Sequence, residues 1–355
     1  MKKNFWKSMD KTTKSNLITY LIVIVAFIVM QTLVSTGNIS SLLKGLLVPV
    51  CVYVIAAISL NLVVGISGEL SLGHAGFMCV GAYSSAFFSV LVGDGMPELL
   101  RFLIAILIGA AVAAVFGLII GIPVLKLRGD YLAIVTLAFG EIIKNLMNVL
   151  YVGRDSKGLH FSTTDTAGLN LEADGQVIVK GALGITGTPK NSTFFIGVIL
   201  ILVALFIILN LINSRSGRAI MAIRDNRIAA ESVGIDVRKY KLMAFTISAA
   251  LAGVAGVLYA HNLSTLTVKK FDYNTSILIL VFVVLGGIGN IRGSMIAAVI
   301  LTVLPELMRG LQDYRMLIYA VVLIVMMLFN WAPSAIAWRA KLKAKVQNRK
   351  AKEAK

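Results

Sequence analysis

Charge is scarce in this chain. Only 14% of its 355 residues are Asp, Glu, Lys or Arg, where a soluble chain carries about a quarter. Acidic residues are the scarcer sign, 17 against 34 basic, which leaves a net charge of +17. Cysteine is nearly absent. Cys51 and Cys79 both lie in apolar stretches and read as small core residues, with no disulfide framework and no metal-ligand spacing. The three histidines, His74, His160 and His261, are widely separated. No HExxH occurs, no Ser/His/Asp grouping is visible, and no Gly-rich loop ends in Gly-Lys-Ser/Thr. The chain therefore has no nucleotide-binding loop of its own, and nothing in it asks for an enzyme.

What it has instead is apolar length. Hydrophobic residues make up 58% of the chain and the mean hydropathy is +0.87. Runs of about 20 apolar residues recur throughout, the signature of helices that span a bilayer. They fall at 17–36, 42–64, 70–92, 99–126, 131–151, 193–213, 242–263, 274–290, 293–309 and 314–332. The expected fold is all-α: one polytopic transmembrane domain over 1–355, with about ten helices and no separate soluble domain. The first run has no small-residue cleavage site after it and reads as an uncleaved helix. Two segments look interrupted. Segment 70–92 is entered through GISGELSLGHAG, and 274–290 runs into GGIGNIRGS. Gly-rich breaks at membrane depth are tolerated where backbone lines a cavity or is buried in protein, so broken or re-entrant helices are expected at both.

The positive charge is localised. Residues 1–14 carry five lysines against Asp10, residues 214–241 carry seven basic residues against three acidic, and residues 338–355 carry eight against Glu353. These three segments hold nearly all of the net charge. With the N-terminus (1–16) inside, counting crossings puts 214–241 and the tail (333–355) inside too. The segment 152–192, balanced in charge, falls outside. Positive residues kept on the inner side orient the chain and attract anionic lipid headgroups, which accounts for the charge without nucleic acid. The reading is a multi-pass membrane protein with both termini cytoplasmic. The outer segment, with GALGITGTP, either contacts a delivery protein or merely connects helices.

Residues 214–241 are long for a connector and read as a docking surface. Ala219, Ile220, Ile223, Ile228, Ala229 and Val233 fall mainly to one side of a helical pattern over 218–234, with arginines opposite and Gly234 as its stop. Such a helix could lie on the membrane or in a groove of another protein. Elsewhere, charges inside apolar runs stand out, because an ionisable group in hydrocarbon is costly unless paired or hydrated. Glu141 and Lys144, three residues apart on one helix face, either line a pathway or satisfy each other. Glu69 and His74 either shape a pathway or bond backbone freed by a broken helix. Pro305, Glu306 and Arg309 read as a kink with a local ion pair.

The motifs then carry a resemblance. Ala229-Ala230, three residues, and Gly234 resemble the helical loop by which permeases of ATP-binding-cassette importers grip their ATPases. The stretch from GRAIMAIRDNRIAAESVGIDVRKYK onward, NLVVGISGELSLGHAGFMCVGAY, GDYLAIVTLAFGEIIKNLMN, GGIGNIRGSMIAA and LPELMR are similar, in order, to the branched-chain amino acid permease family, and to its LivM-type subunit. The likeness covers about residues 45 to 330. It departs at APSAIAWR, where the family often has Pro-x-Gly-Leu, and in a longer insert between Val152 and Gly181. The resemblance implies a pore shared with a homologous LivH-type permease, two cytoplasmic ATPases and an external substrate-binding protein that delivers leucine, isoleucine or valine. It also implies that ATP is bound by the partners, that this chain binds no cofactor or metal, and that Arg218, Arg224, Ala229, Ala230 and Gly234 belong to the coupling loop. Glu69, His74, Glu141 and Lys144 remain the pathway candidates. The alternatives are urea, amides or another small solute in the same importer class, or a stand-alone secondary transporter.

Overall fold

The computed structural model describes residues 11–37, 40–127, 129–172 and 175–308, with scattered positions between 314 and 328. The basic N-terminal stretch 1–10 and the tail 333–355 lie outside the described residues, as do Arg309 and most of the tenth apolar run.

Helices dominate. They are α1 (Lys11–Ser35), α2 (Ser41–Asn61), α3 (His74–Val92), α4 (Glu98–Val124), α5 (Asp130–Val149), α6 (Phe194–Asn213), α7 (Arg215–Asp225), α8 (Arg227–Ser232), α9 (Val237–Ala260), α10 (Tyr273–Gly286) and α11 (Ile291–Leu307). Seven spans among the described residues are long and apolar enough to cross a membrane: those of α1 to α6 and of α9. The expected eighth and ninth spans are shorter. α10 has 14 residues and α11 has 17, about 21 and 26 Å at 1.5 Å per residue against a hydrocarbon core of about 30 Å.

The core is built on α2, 83% buried over its most apolar window, and on α9. α9 packs against α3 and α4, and small residues let the backbones meet. A Cβ on Gly81 of α3 would stand 2.5 Å from the Gly253 Cα of α9. Without a hydrophobic drive between helices in lipid, such close packing and interhelical hydrogen bonds hold a bundle together. α1 stays at the margin, touching α6 through Phe27 on Phe194, 5.5 Å between ring centroids.

The segment between α5 and α6, an ordered cap or a plain loop by its sequence, is a folded unit, and its strands depart from an all-α fold. Its four strands and a fifth from beyond α9 form an antiparallel sheet in the order β2-β1-β3-β4-β5. The strands are β1 (Tyr151–Asp155), β2 (Gly158–Ser162), β3 (Gln176–Lys180), β4 (Ile185–Thr186) and β5 (Thr265–Leu266). Asp155 closes the β1–β2 hairpin: its Oδ1 accepts from the Lys157 and Gly158 N–H groups at 2.8 and 3.1 Å. β5 comes from the chain after α9, so the sheet also ties down the approach to α10. Arg154 anchors the sheet to the end of α3 by donating to the Leu91 carbonyl at 3.1 Å.

Candidate functional site

At the end of the bundle opposite the sheet, the basic loop meets a break in the helices. α2 ends in a π-helical turn, Leu62–Ile66, and residues 67–73 are irregular before α3 starts at His74. The backbone groups this frees find partners on other elements. The Leu72 N–H donates to Thr136 Oγ1 and the Ala75 N–H to Ser276 Oγ, each at 3.0 Å. Asn61 ties the break to the turn between α10 and α11: its Oδ1 accepts from the Gly289 N–H and its Nδ2 donates to Ser294 Oγ, both at 2.9 Å. Gly65 must be glycine here, since a Cβ would lie 2.3 Å from the Gly289 nitrogen. His74 is fully buried against Ser59, Nε2 to Oγ 2.7 Å, and Ser248 of α9 donates to the Ser59 carbonyl at 2.6 Å.

The loop itself is two helices, not the single helix expected over 218–234. Asn226 separates them and caps the second, its Oδ1 accepting from the Ala229 N–H at 3.0 Å. The corner splits the apolar face. Ile220 and Ile223 turn inward and are buried, while Ile228 and Val233 point out at 80% and 76% exposure. Ile223, Ala230 and Val237 form a small core of their own, so the loop is a packed body, and Ala229 lies exposed on its outer side. Gly234 turns the chain with φ at +84°, a conformation costly for residues with a Cβ.

Two contacts join this body to the break. Arg224 Nη1 donates to the Gly65 carbonyl at 3.0 Å, and its stem packs on Gly68, which has φ at +75°. Lys241, at the start of α9, is paired with Glu69, both largely buried. Arg218 plays a local part, donating to the Asn213 carbonyl at the end of α6.

Glu141 and Lys144 stand apart from this junction, paired with each other on α5, with Glu141 also accepting from the Tyr273 N–H at 3.2 Å. Of the residues singled out in the sequence, the fold therefore joins Arg224 and Glu69 to one junction, places His74 beside it, and leaves Glu141 and Lys144 elsewhere. Gly65, Asn61, Lys241 and Gly289 were not singled out as site residues. The helices His74–Val92 and Tyr273–Gly286 run uninterrupted; the NLVVGISG and GGIGN glycines lie in the connections before α3 and after α10, and the sequence did not show that these touch.

A model of the "Branched-chain amino acid transport system / permease component" family matches residues 42–329. The chain belongs to this family. It is 36% identical to the high-affinity branched-chain amino acid transport system permease protein LivM of Escherichia coli, over 85% of this chain and 71% of the relative. That makes it a LivM-type permease and a multi-pass membrane protein. A LivH permease of the same kind of system in Salmonella typhimurium is 26% identical over 72% of the chain and 81% of its own length. The fructose import permease protein FruG of Bifidobacterium longum is 27% identical over 86% of each. No solved structure matches.

Proposed function

We propose that this chain is one permease subunit of an ATP-binding-cassette importer for leucine, isoleucine and valine, with the 214–241 loop as its ATPase-coupling element. The observation that carries the reading is the build of that loop. It is a packed body with apolar knobs, Ile228 and Val233, exposed on its surface. On its inner side Arg224 reaches the broken helix. A part that transmits motion needs both: an outer surface for a partner and a stiff connection inward. The differential affinity of the partner for two states of this body is what would shift the permease between states.

On this reading the loop and both termini are cytoplasmic, the sheet is external and offers a surface to a substrate-binding protein, and a LivH-type permease completes the pore. ATP binds and is hydrolysed on two partner ATPases, with no cofactor on this chain. Lipid surrounds α1. The whole described chain acts as one transmembrane permease domain. The test is a mild-detergent pull-down of the tagged protein with cross-linking focused on the exposed Lys239. Cross-links to a nucleotide-binding subunit, with a second permease in the same complex, are expected. A self-associated protein that transports solute alone in liposomes would instead establish a secondary transporter.

A further inference from the structure

A second polar feature lies at membrane depth, away from the coupling junction. With α5 read as a span, α10 starts at membrane depth, on three grounds. It is only 14 residues long. Its far end, at Gly287–Gly289, is held against the break beside Gly65. Its first N–H is held by Glu141, three turns into α5 and so about 16 Å along it. The chain reaches this depth from β5 through the turn Val268–Lys270, which packs on α5. Lys270, Tyr273 and Asn274 are exposed there, with Asp272 half-buried among them. Asn274 donates to Asp272 Oδ2 at 2.9 Å, and Lys144, paired with Glu141, reaches the same helix start through the Glu141 bond to the Tyr273 N–H. Charges exposed at this depth cannot face lipid without a large cost, so they face water or protein.

Both signs are present, Lys144 and Lys270 against Glu141 and Asp272. An apolar cleft lined by Val52, Tyr53, Met78, Tyr259 and Phe271 opens beside Lys270. We propose that this face lines the solute pathway and receives an α-amino acid zwitterion. The carboxylates of Asp272 and Glu141 take the ammonium, the amines of Lys270 and Lys144 take the carboxylate, and the cleft takes the branched side chain. A zwitterion leaving water needs partners of both signs, because a buried charge without one is far costlier than a paired one. The cleft now offers about 10 Å³, room for one water at most, so the side chain enters only when α9 and α10 separate. The inference rests on the importer reading above.

The experiment uses the complete importer, purified with its second permease, ATPases and binding protein and sealed in vesicles. Recovery of that complex is the separate check on the importer reading. Asn274→Cys supplies a thiol at the face, and the two native cysteines are buried. A membrane-impermeant cationic methanethiosulfonate is expected to label it, more slowly under leucine turnover. Asp272→Asn keeps the helix cap and removes the charge, and Lys270→Gln does the same for the amine. Each is expected to lower leucine uptake about tenfold or more, as fits the loss of a charged hydrogen bond. Lys270→Arg is expected to restore it. No labelling in an intact complex, meaning the face is covered by the second permease or lipid, overturns the proposal. So does normal uptake by both charge variants.

Discussion

Replacing Arg224 by glutamine tests the coupling reading most directly. The wild-type guanidinium donates to the Gly65 carbonyl and is braced by Asp225, which accepts from Nε and Nη2 at 3.0 and 2.9 Å. A hydrogen bond from a charged donor contributes about 1.5–3 kcal/mol. Arg224 is about a third exposed, so water replaces part of that, and the lower end, about 1–2 kcal/mol, applies. Since 1.4 kcal/mol is tenfold in an equilibrium, the loop should lose roughly five- to thirty-fold of its hold on the broken segment. Folding should suffer little, because α7 keeps Ile220 and Ile223 buried and the Lys241–Glu69 pair remains. In vesicles holding the complete importer, leucine moved per ATP hydrolysed should fall several-fold, while membrane abundance stays near wild type. An unchanged ratio of uptake to hydrolysis would refute the claim that Arg224 carries the motion.

Other outcomes follow from the same geometry. Gly65→Ala forces Asn61 or the Gly289 backbone to move, so overpacking should cost about 1–3 kcal/mol and lower the melting temperature of the detergent-purified protein; an unshifted melt would mean the break and the α10–α11 turn are not in contact. Gly234→Asp places a side chain at φ +84° in open space, so the cost of about 1–2 kcal/mol is local. Uptake should drop while the protein stays in the membrane, read by transport and immunoblot together. On the sheet, Lys157 and Ser156 hold the Glu172 carboxyl below its ordinary value. Burial would raise that of Asp155, but the backbone bond from Lys157 and the His160 side chain outweigh it and hold it low. Groups depressed in the folded state stabilise it above their ordinary values and lose that effect as pH falls through their folded values. Hydrogen exchange of the β1–β2 hairpin should therefore stay slow at neutral pH, after correction for intrinsic rates, and lose protection only in acid; protection lost between pH 6 and 8 would contradict this.

Much of this protein was legible without coordinates. A 20-residue apolar run has few options in lipid, so ten runs could be read from composition alone, of which seven prove long and apolar enough to cross a membrane among the described residues, and the Gly and Ser runs fall between helices rather than inside them. The loop was legible as a surface because seven basic residues in 28 cannot lie in hydrocarbon. Its inner face was not. Ile220 and Ile228 share one side of an uninterrupted helix, but Asn226 can cap a new helix as readily as continue an old one. Which it does depends on whether Ile223, Ala230 and Val237 can pack together. The sheet escaped notice because its strands are two to five residues long, and β5 lies some eighty residues from β4.

The amino-acid sequence by itself determined the family, the membrane class and the position of the polar loop, because each is written in local hydropathy or in contiguous motifs. Only the tertiary structure decided which polar groups meet. Arg224 and Gly65 are 159 residues apart, Lys241 and Glu69 are 172 apart, and Asn61 and Gly289 are 228 apart. Nothing local selects such pairs. They form because backbone that leaves a helix among packed elements must find its hydrogen-bond partners within the protein, and the packing of α2, α9 and α10 leaves those side chains within reach.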